Sequence, residues 1–84
     1  MLDFKDFINL VYSLHDREML ADFLIGVTTD QERQELVRRV KIIQKLLAGE
    51  AQHKIANELG VGIATVTRGS KELKDGRFKA LRKQ

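Results

Sequence analysis

The sequence predicts an all-α fold of five to six short helices that includes a helix-turn-helix. Three observations carry that expectation: the chain has no proline, its glycines fall at segment ends, and its apolar residues recur at helical spacing. At 84 residues it is one domain, 1–84, with a modest core. Within it, residues 3–48 are expected to form dimerisation helices, 51–72 the helix-turn-helix and 73–84 a short basic tail.

The first helix is expected over roughly residues 3–14, where Phe4, Phe7, Ile8, Val11 and Tyr12 follow the i, i+3, i+4, i+7, i+8 pattern behind Asp3 as a cap. Asp16 caps a second, in which Met19, Leu20, Ala21, Phe23, Leu24 and Ile25 leave Asp22 as the polar exception before Gly26 closes it. Thr29 followed by Glu32 is a capping box for a third. That helix runs to about Ala48, with Leu36, Val40, Ile43 and Leu47 on one stripe, Val37 and Leu46 widening it, and Gly49 as its stop. Glu35 and Arg39 lie four apart and should pair. These helices carry more apolar surface than a small monomer covers, which predicts a homodimer.

The segment from Lys54 to Ser70, KIANELGVGIATVTRGS, has a helix-turn-helix layout. Ile55 and Leu59 share one face, Ala56 permits close approach, and Gly60 suits the left-handed residue that closes the first helix. Val61 packs inward, Gly62 opens the second helix and Val66 anchors it. Ile63, Ala64, Thr65 and Thr67 are then left near the helix start, where a recognition helix meets base edges. Their methyl groups suit a thymine methyl and the threonine hydroxyls can bond bases directly or through water. An ordinary solvated two-helix corner is the competing reading. A last short helix in the tail would be anchored by Phe78 and Leu81.

Charge favours nucleic acid. The net charge of +3 hides an asymmetry: residues 51–84 hold eight Lys or Arg against three acids, and the preceding half seven against nine. A basic segment beside a candidate recognition helix is a phosphate-binding footprint, with Lys54, Lys71 and Lys74 as its candidates. The chain has no cysteine, and His15 and His53 stand far apart, so no metal site is expected. No apolar run reaches the roughly 18 residues of a membrane span, and a cytoplasmic protein is expected. No nucleophile is paired with a base and no glycine-rich phosphate loop is present, which argues against an enzyme. A protein-interaction module remains as the alternative to a DNA-binding regulator.

The motifs LLAGE at 46–50, NELG at 57–60 and GIATVTRGS at 62–70 resemble the signature of the Trp repressor family. The likeness is specific through that block and looser through Thr29, Glu32, Arg33 and Arg39 before it and Leu73 and Lys74 after it. The resemblance implies an intertwined all-α homodimer that represses transcription at a double-stranded DNA operator when L-tryptophan binds as corepressor. It further implies that Arg39 and Arg68 sandwich the indole, that Thr29 lies near the ligand carboxylate, and that Gly69 and Glu72 belong to the ligand site. An arginine can stack on an aromatic face or fork onto a carboxylate, which suits that role. Arg68 keeps two other readings, a phosphate contact or a plain helical pair with Glu72.

The sequence also departs from the family pattern. The link between Gly49 and Gln52 is one residue short and lacks the capping serine. His53 and Ala56 stand where the family has a DNA-contacting arginine and lysine, Glu72 where it has a serine near the ligand's ammonium, and Gly26 and Thr28 where leucines line the pocket. A Trp-repressor-like DNA-binding protein with no ligand, or a different one, is therefore the alternative within the class.

Overall fold

Six α-helices and no strand make up residues 1–82, the part of the chain that the computed structural model describes. They are α1 (Phe4–Ser13), α2 (Arg17–Val27), α3 (Asp30–Leu47), α4 (Gln52–Leu59), α5 (Ile63–Lys74) and α6 (Lys79–Arg82). Lys83 and Gln84, the end of the expected basic tail, lie outside the described residues. The chain forms two compact units, Met1–Arg33 and Gln34–Gln84, with the division inside α3.

In the first unit the polar residues foreseen as caps do cap. Asp3 and Asp6 form a reciprocal capping box at the start of α1, which holds the Asp3 carboxyl below its ordinary range. The Asp16 carboxylate accepts from Met19 N at 3.1 Å and opens α2. Phe7 and Phe23 join α1 to α2, their ring centroids 5.9 Å apart. Thr29 and Glu32 exchange bonds at 3.1 and 2.8 Å to start α3.

Gly26 does not close α2 as its sequence position suggested; the helix continues through it to Val27. Side chains finish the helix instead. The Thr28 hydroxyl donates back to Leu24 O, and Arg33 Nη1 donates to Thr28 O at 2.8 Å and to Ile25 O at 3.1 Å. A cation on the last carbonyls satisfies groups that a helix end leaves bare and complements its negative pole.

The second unit is built around Ile42, Ile55, Ala56 and Val66, with Leu46, Leu59 and Val61 packed against them. Ile42 and Ile43 of α3 are both only 2% exposed. The stripe expected on this helix is thus displaced: Ile43 is buried on it, Ile42 joins the core unforeseen, and Leu36, Val37, Val40 and Leu47 are exposed. Helix α4, with eight residues, is too short to persist alone and depends on this packing. It ends as expected at Gly60, whose φ of 64° lets the Gly60 and Val61 N–H groups both turn back to Ala56 O. A side chain at that left-handed position would cost about 1 kcal/mol or more.

Lys45 ties α3 to α4. Its ammonium donates to Glu58 at 2.8 Å and lies 3.5 Å from Glu50. Hydrogen bonding to Lys45 holds the Glu58 carboxyl below its ordinary value of 4.5, and the same bond raises Lys45 above 10.5. The lowered carboxyl stabilises the fold fully above pH 4.5, and that contribution is lost as pH falls through its folded value. The lysine side is lost only as pH rises beyond 10.5. Denaturation curves of the parent protein and Glu58→Gln should therefore separate near neutrality and converge in acid; a gap that persists at low pH would disprove the coupling.

Candidate nucleic-acid interface and adjoining pocket

Helix α5 has three faces with different work. Val66, wholly buried, faces the core with half-buried Leu73 beside it. Thr65, Arg68, Gly69 and Glu72 follow i, i+3, i+4, i+7 and line a cavity of about 260 Å³. Glu35, Arg39, Ile42 and Ile43 of α3 form its other wall, and Phe78 borders it from the tail. Ile63, Thr67 and Lys74 fall roughly half a turn of helix away from the cavity face, with Ala64 and Lys71 roughly a quarter to a third of a turn away, and all five are exposed. One helix therefore presents a polar, basic stripe outward and a ligand-sized cavity behind it.

The residues expected to read bases do not stay together. Ile63, Ala64 and Thr67 lie on the outward stripe, whereas Thr65 is half-buried in the cavity wall. Thr67 Oγ1 donates to Gln52 Oε1 at 2.9 Å, which pins the start of α4 to α5. Ala51, the residue preceding α4, provides no side-chain cap, so this bond holds the segment where the capping serine is missing. Among the cations, Lys54 lies 3.8 Å from Glu58, while Lys71 and Lys74 have no ion-pair partner among the described residues. Ala56 is a core residue at 8% exposure and supplies packing. His53 is exposed on α4.

Of the expected ligand residues, the cavity gathers Arg39, Arg68, Gly69 and Glu72. Thr29 belongs to the first unit, where it is engaged in the α3 capping box. Gly69 is not at a segment end but within α5, and its role is spatial. A Cβ there would stand 3.1 Å from Ile43 Cδ1 and 3.3 Å from Ile42 Cγ2, so the missing side chain lets α5 approach α3. Glu35 accepts from Arg38 at 3.0 Å and from Arg39 Nε at 3.3 Å, the latter being the foreseen i, i+4 pair. The Arg68–Glu72 pair is not formed; Glu72 lies instead 3.7 Å from Arg77.

Ile42, Ile43, Glu35 and Phe78 were not singled out for the site from the sequence. For the first three a signal existed, since Glu35, Arg39, Ile42 and Ile43 share one face of α3 by spacing. Phe78 depends on a turn. Gly76 N–H returns to Leu73 O and Arg77 N–H to Glu72 O, and Arg82 donates to Leu73 O and Arg77 O. Phe78 is thereby held at φ 63°, a left-handed conformation that costs a non-glycine residue about 1–2 kcal/mol.

The family described as Trp repressor protein matches residues 3–82. The chain belongs to the Trp repressor family. Its relatives include proteins named Trp operon repressor homolog from three bacteria. Those of Vibrio campbellii and Vibrio cholerae are 44% and 47% identical to it over 73 residues, which cover 86% of this chain and 73% and 71% of theirs. That of Aliivibrio fischeri is 41% identical over the same 86% of the chain and 68% of its own length. The all-helical architecture and the α4–α5 corner agree with Trp repressor membership. No described helix is long and apolar enough to cross a membrane, and no described cluster of His, Cys, Asp and Glu could hold a metal.

Proposed function

We propose that this chain is a cytoplasmic transcriptional repressor that binds a double-stranded DNA operator as a homodimer, with α5 as its recognition helix and L-tryptophan as its corepressor. The two opposed faces of α5 carry this reading. A ligand wedged between α5 and α3 fixes the tilt of the stripe formed by Ile63, Ala64, Thr67, Lys71 and Lys74. Its preference for one tilt becomes the coupling free energy between ligand and operator.

Apolar side chains support the dimer. Phe4, Ile8, Met19, Ile25, Leu36 and Val37 are all about half or more exposed in the single chain, and together they form more apolar surface than a small monomer ordinarily leaves to water. Membership of the family and relatives named Trp operon repressor homolog support both the repressor role and the corepressor.

Binding of a randomised duplex pool, with and without L-tryptophan, tests the proposal. A selected operator sequence bound more tightly in the presence of the amino acid is the expected result. Arg39→Ala and Arg68→Ala should each weaken tryptophan binding on the order of 10- to 100-fold, the worth of a charge-assisted contact, and remove the ligand's effect on DNA. The amino acid's own fluorescence reports this cleanly, because the chain has no tryptophan. Operator selection indifferent to tryptophan would leave a DNA-binding repressor without this corepressor. Failure to bind any duplex, even at low salt, would overturn the reading in favour of a protein-interaction module.

A further inference from the structure

The turn that follows α5 contains a feature that the helix end does not require. Gly76 N–H returns to Leu73 O at 3.1 Å and Arg77 N–H to Glu72 O at 3.0 Å, with Gly76 at φ 92°. This is a complete Schellman closure, which satisfies the last carbonyls of a helix and places a glycine at the left-handed position. Two residues later Phe78 takes φ 63°, the one positive value at a non-glycine residue among those described. A left-handed phenylalanine is disfavoured by about 5- to 30-fold in equilibrium, and no capping need accounts for it.

Its surroundings do. Phe78 borders the cavity between α3 and α5, and its exposure is 36%, so most of the residue is covered. Arg82 bends the chain back there: its guanidinium donates to Leu73 O and, from Nε at 3.2 Å, to Arg77 O. Arg77 itself stands 3.7 Å from Glu72, an exposed pair of little weight. One charged side chain on the four-residue α6 therefore holds an aromatic ring against the cavity, and the backbone at that ring opposes it. Hydrogen bonds from a charged donor contribute about 10- to 100-fold, the same order as the strain. Two states so nearly balanced leave the minor one populated at about 0.1–10%. Strain fixed by surrounding contacts is a property of switch segments.

We propose that residues 75–82 form a latch over the cavity, closed in the structure and opened when Phe78 relaxes to negative φ and Arg82 leaves its two carbonyls. Phe78 is the closing group and Arg82 the residue that positions it. An occupant of the cavity enters and leaves through the open form; this use of the latch rests on the pocket reading above, whereas the latch itself rests on the tail.

Fluorine NMR of the whole chain, with 4-fluorophenylalanine at its four phenylalanines, tests the latch without any ligand. Phe78→Leu assigns the signal. In the parent protein that signal should show exchange on the μs–ms timescale. Arg82→Ala should raise the open fraction by about tenfold or more and expose the ring to a dissolved nitroxide. Arg82 lies outside the core of Ile42, Ile55, Ala56 and Val66, so this variant keeps the fold that carries the cavity. Arg77→Ala, which removes only the weak exposed pair, should raise the open fraction by no more than about fivefold. A Phe78 signal without exchange, together with equal nitroxide access in the parent and Arg82→Ala proteins, would overturn the proposal.

Stopped-flow mixing with L-tryptophan separates a latch from a fixed wall. A latch gates both directions, so Arg82→Ala should speed entry and exit together, each by about tenfold or more. Faster exit with unchanged entry would make Phe78 a fixed wall and would also overturn the proposal. Failure of L-tryptophan to saturate the protein would remove the corepressor reading, and fluorine exchange that responds to Arg82→Ala would then still establish the latch.

Discussion

Shortening Ile55 to alanine should lower the unfolding free energy by about 2–5 kcal/mol, the cost of removing buried methylenes and leaving a cavity. Ile55 is wholly buried at the meeting of α3, α4 and α5, against Ile42, Ala56 and Val66. In a chain of 84 residues, whose total stability is of the order of 5–15 kcal/mol, that loss is a large share of the whole. The neighbouring helix makes collapse into the cavity difficult, because α4 is only two turns long and fixed at both ends. Gly60 closes one, and the Thr67–Gln52 bond at 2.9 Å holds the other. Ile55→Val, which removes one methyl group, should cost only about 0.5–1.5 kcal/mol. Urea denaturation followed by circular dichroism, at one fixed protein concentration, would measure both, since any self-association makes apparent stability depend on concentration. Near-equal effects of the two substitutions would mean that Ile55 does not fill the site described.

The helix-turn-helix was legible because its determinants are local. Gly60, Val61, Ile55 and Val66 each do what their spacing and chemistry require, and the positive φ at Gly60 is a property of residue type. Capping at Asp3, Asp16 and Thr29 was legible for the same reason. What failed depends on partners distant in sequence. Gly26 has the signature of a helix stop, yet Arg33 satisfies the Ile25 and Thr28 carbonyls on either side of it and α2 continues to Val27. Gly69 looks like another stop and is instead the contact point of α5 with Ile42 and Ile43, visible only once α3 is in place. The α3 stripe was misplaced because a helix with both buried and solvent-facing apolar residues gives a broad pattern, and periodicity does not say which part of it meets the core. Within the site, the two arginines were found through motif likeness. The pairing of Glu35 with Arg39 was foreseen from spacing, whereas its second partner, Arg38, and the solitude of Arg68 among the described residues were not, since charge partners among i, i+3 and i, i+4 candidates are decided by side-chain direction.

Lys71→Ala with Lys74→Ala should flatten the salt dependence of operator binding more than any other exposed pair. Both lysines are on the outward stripe of α5, and neither is held by an acid among the described residues, so their charge is available to phosphate. Lys54 is different, for Glu58 lies 3.8 Å from it and must be exchanged before a phosphate is bound. Each phosphate contact contributes about 0.9 to the slope of log affinity against log salt, so losing two contacts per protomer of the proposed homodimer would lower the slope by roughly 3.6. Across a fourfold change of salt that is a difference on the order of 100-fold in how affinity responds. The operator preferred by the double variant should be unchanged, because phosphate contacts position the protein and base contacts specify sequence. Ile63→Ala supplies the opposite signature: Ile63 is 51% exposed at the start of α5, and losing its apolar contact should relax the preferred sequence while the slope stays as it was. Fluorescence anisotropy of labelled duplexes at several salt concentrations separates the two. If the lysine variant altered sequence preference and kept the parent slope, the stripe would not be oriented along the phosphate backbone, and α5 would have to approach DNA by another face.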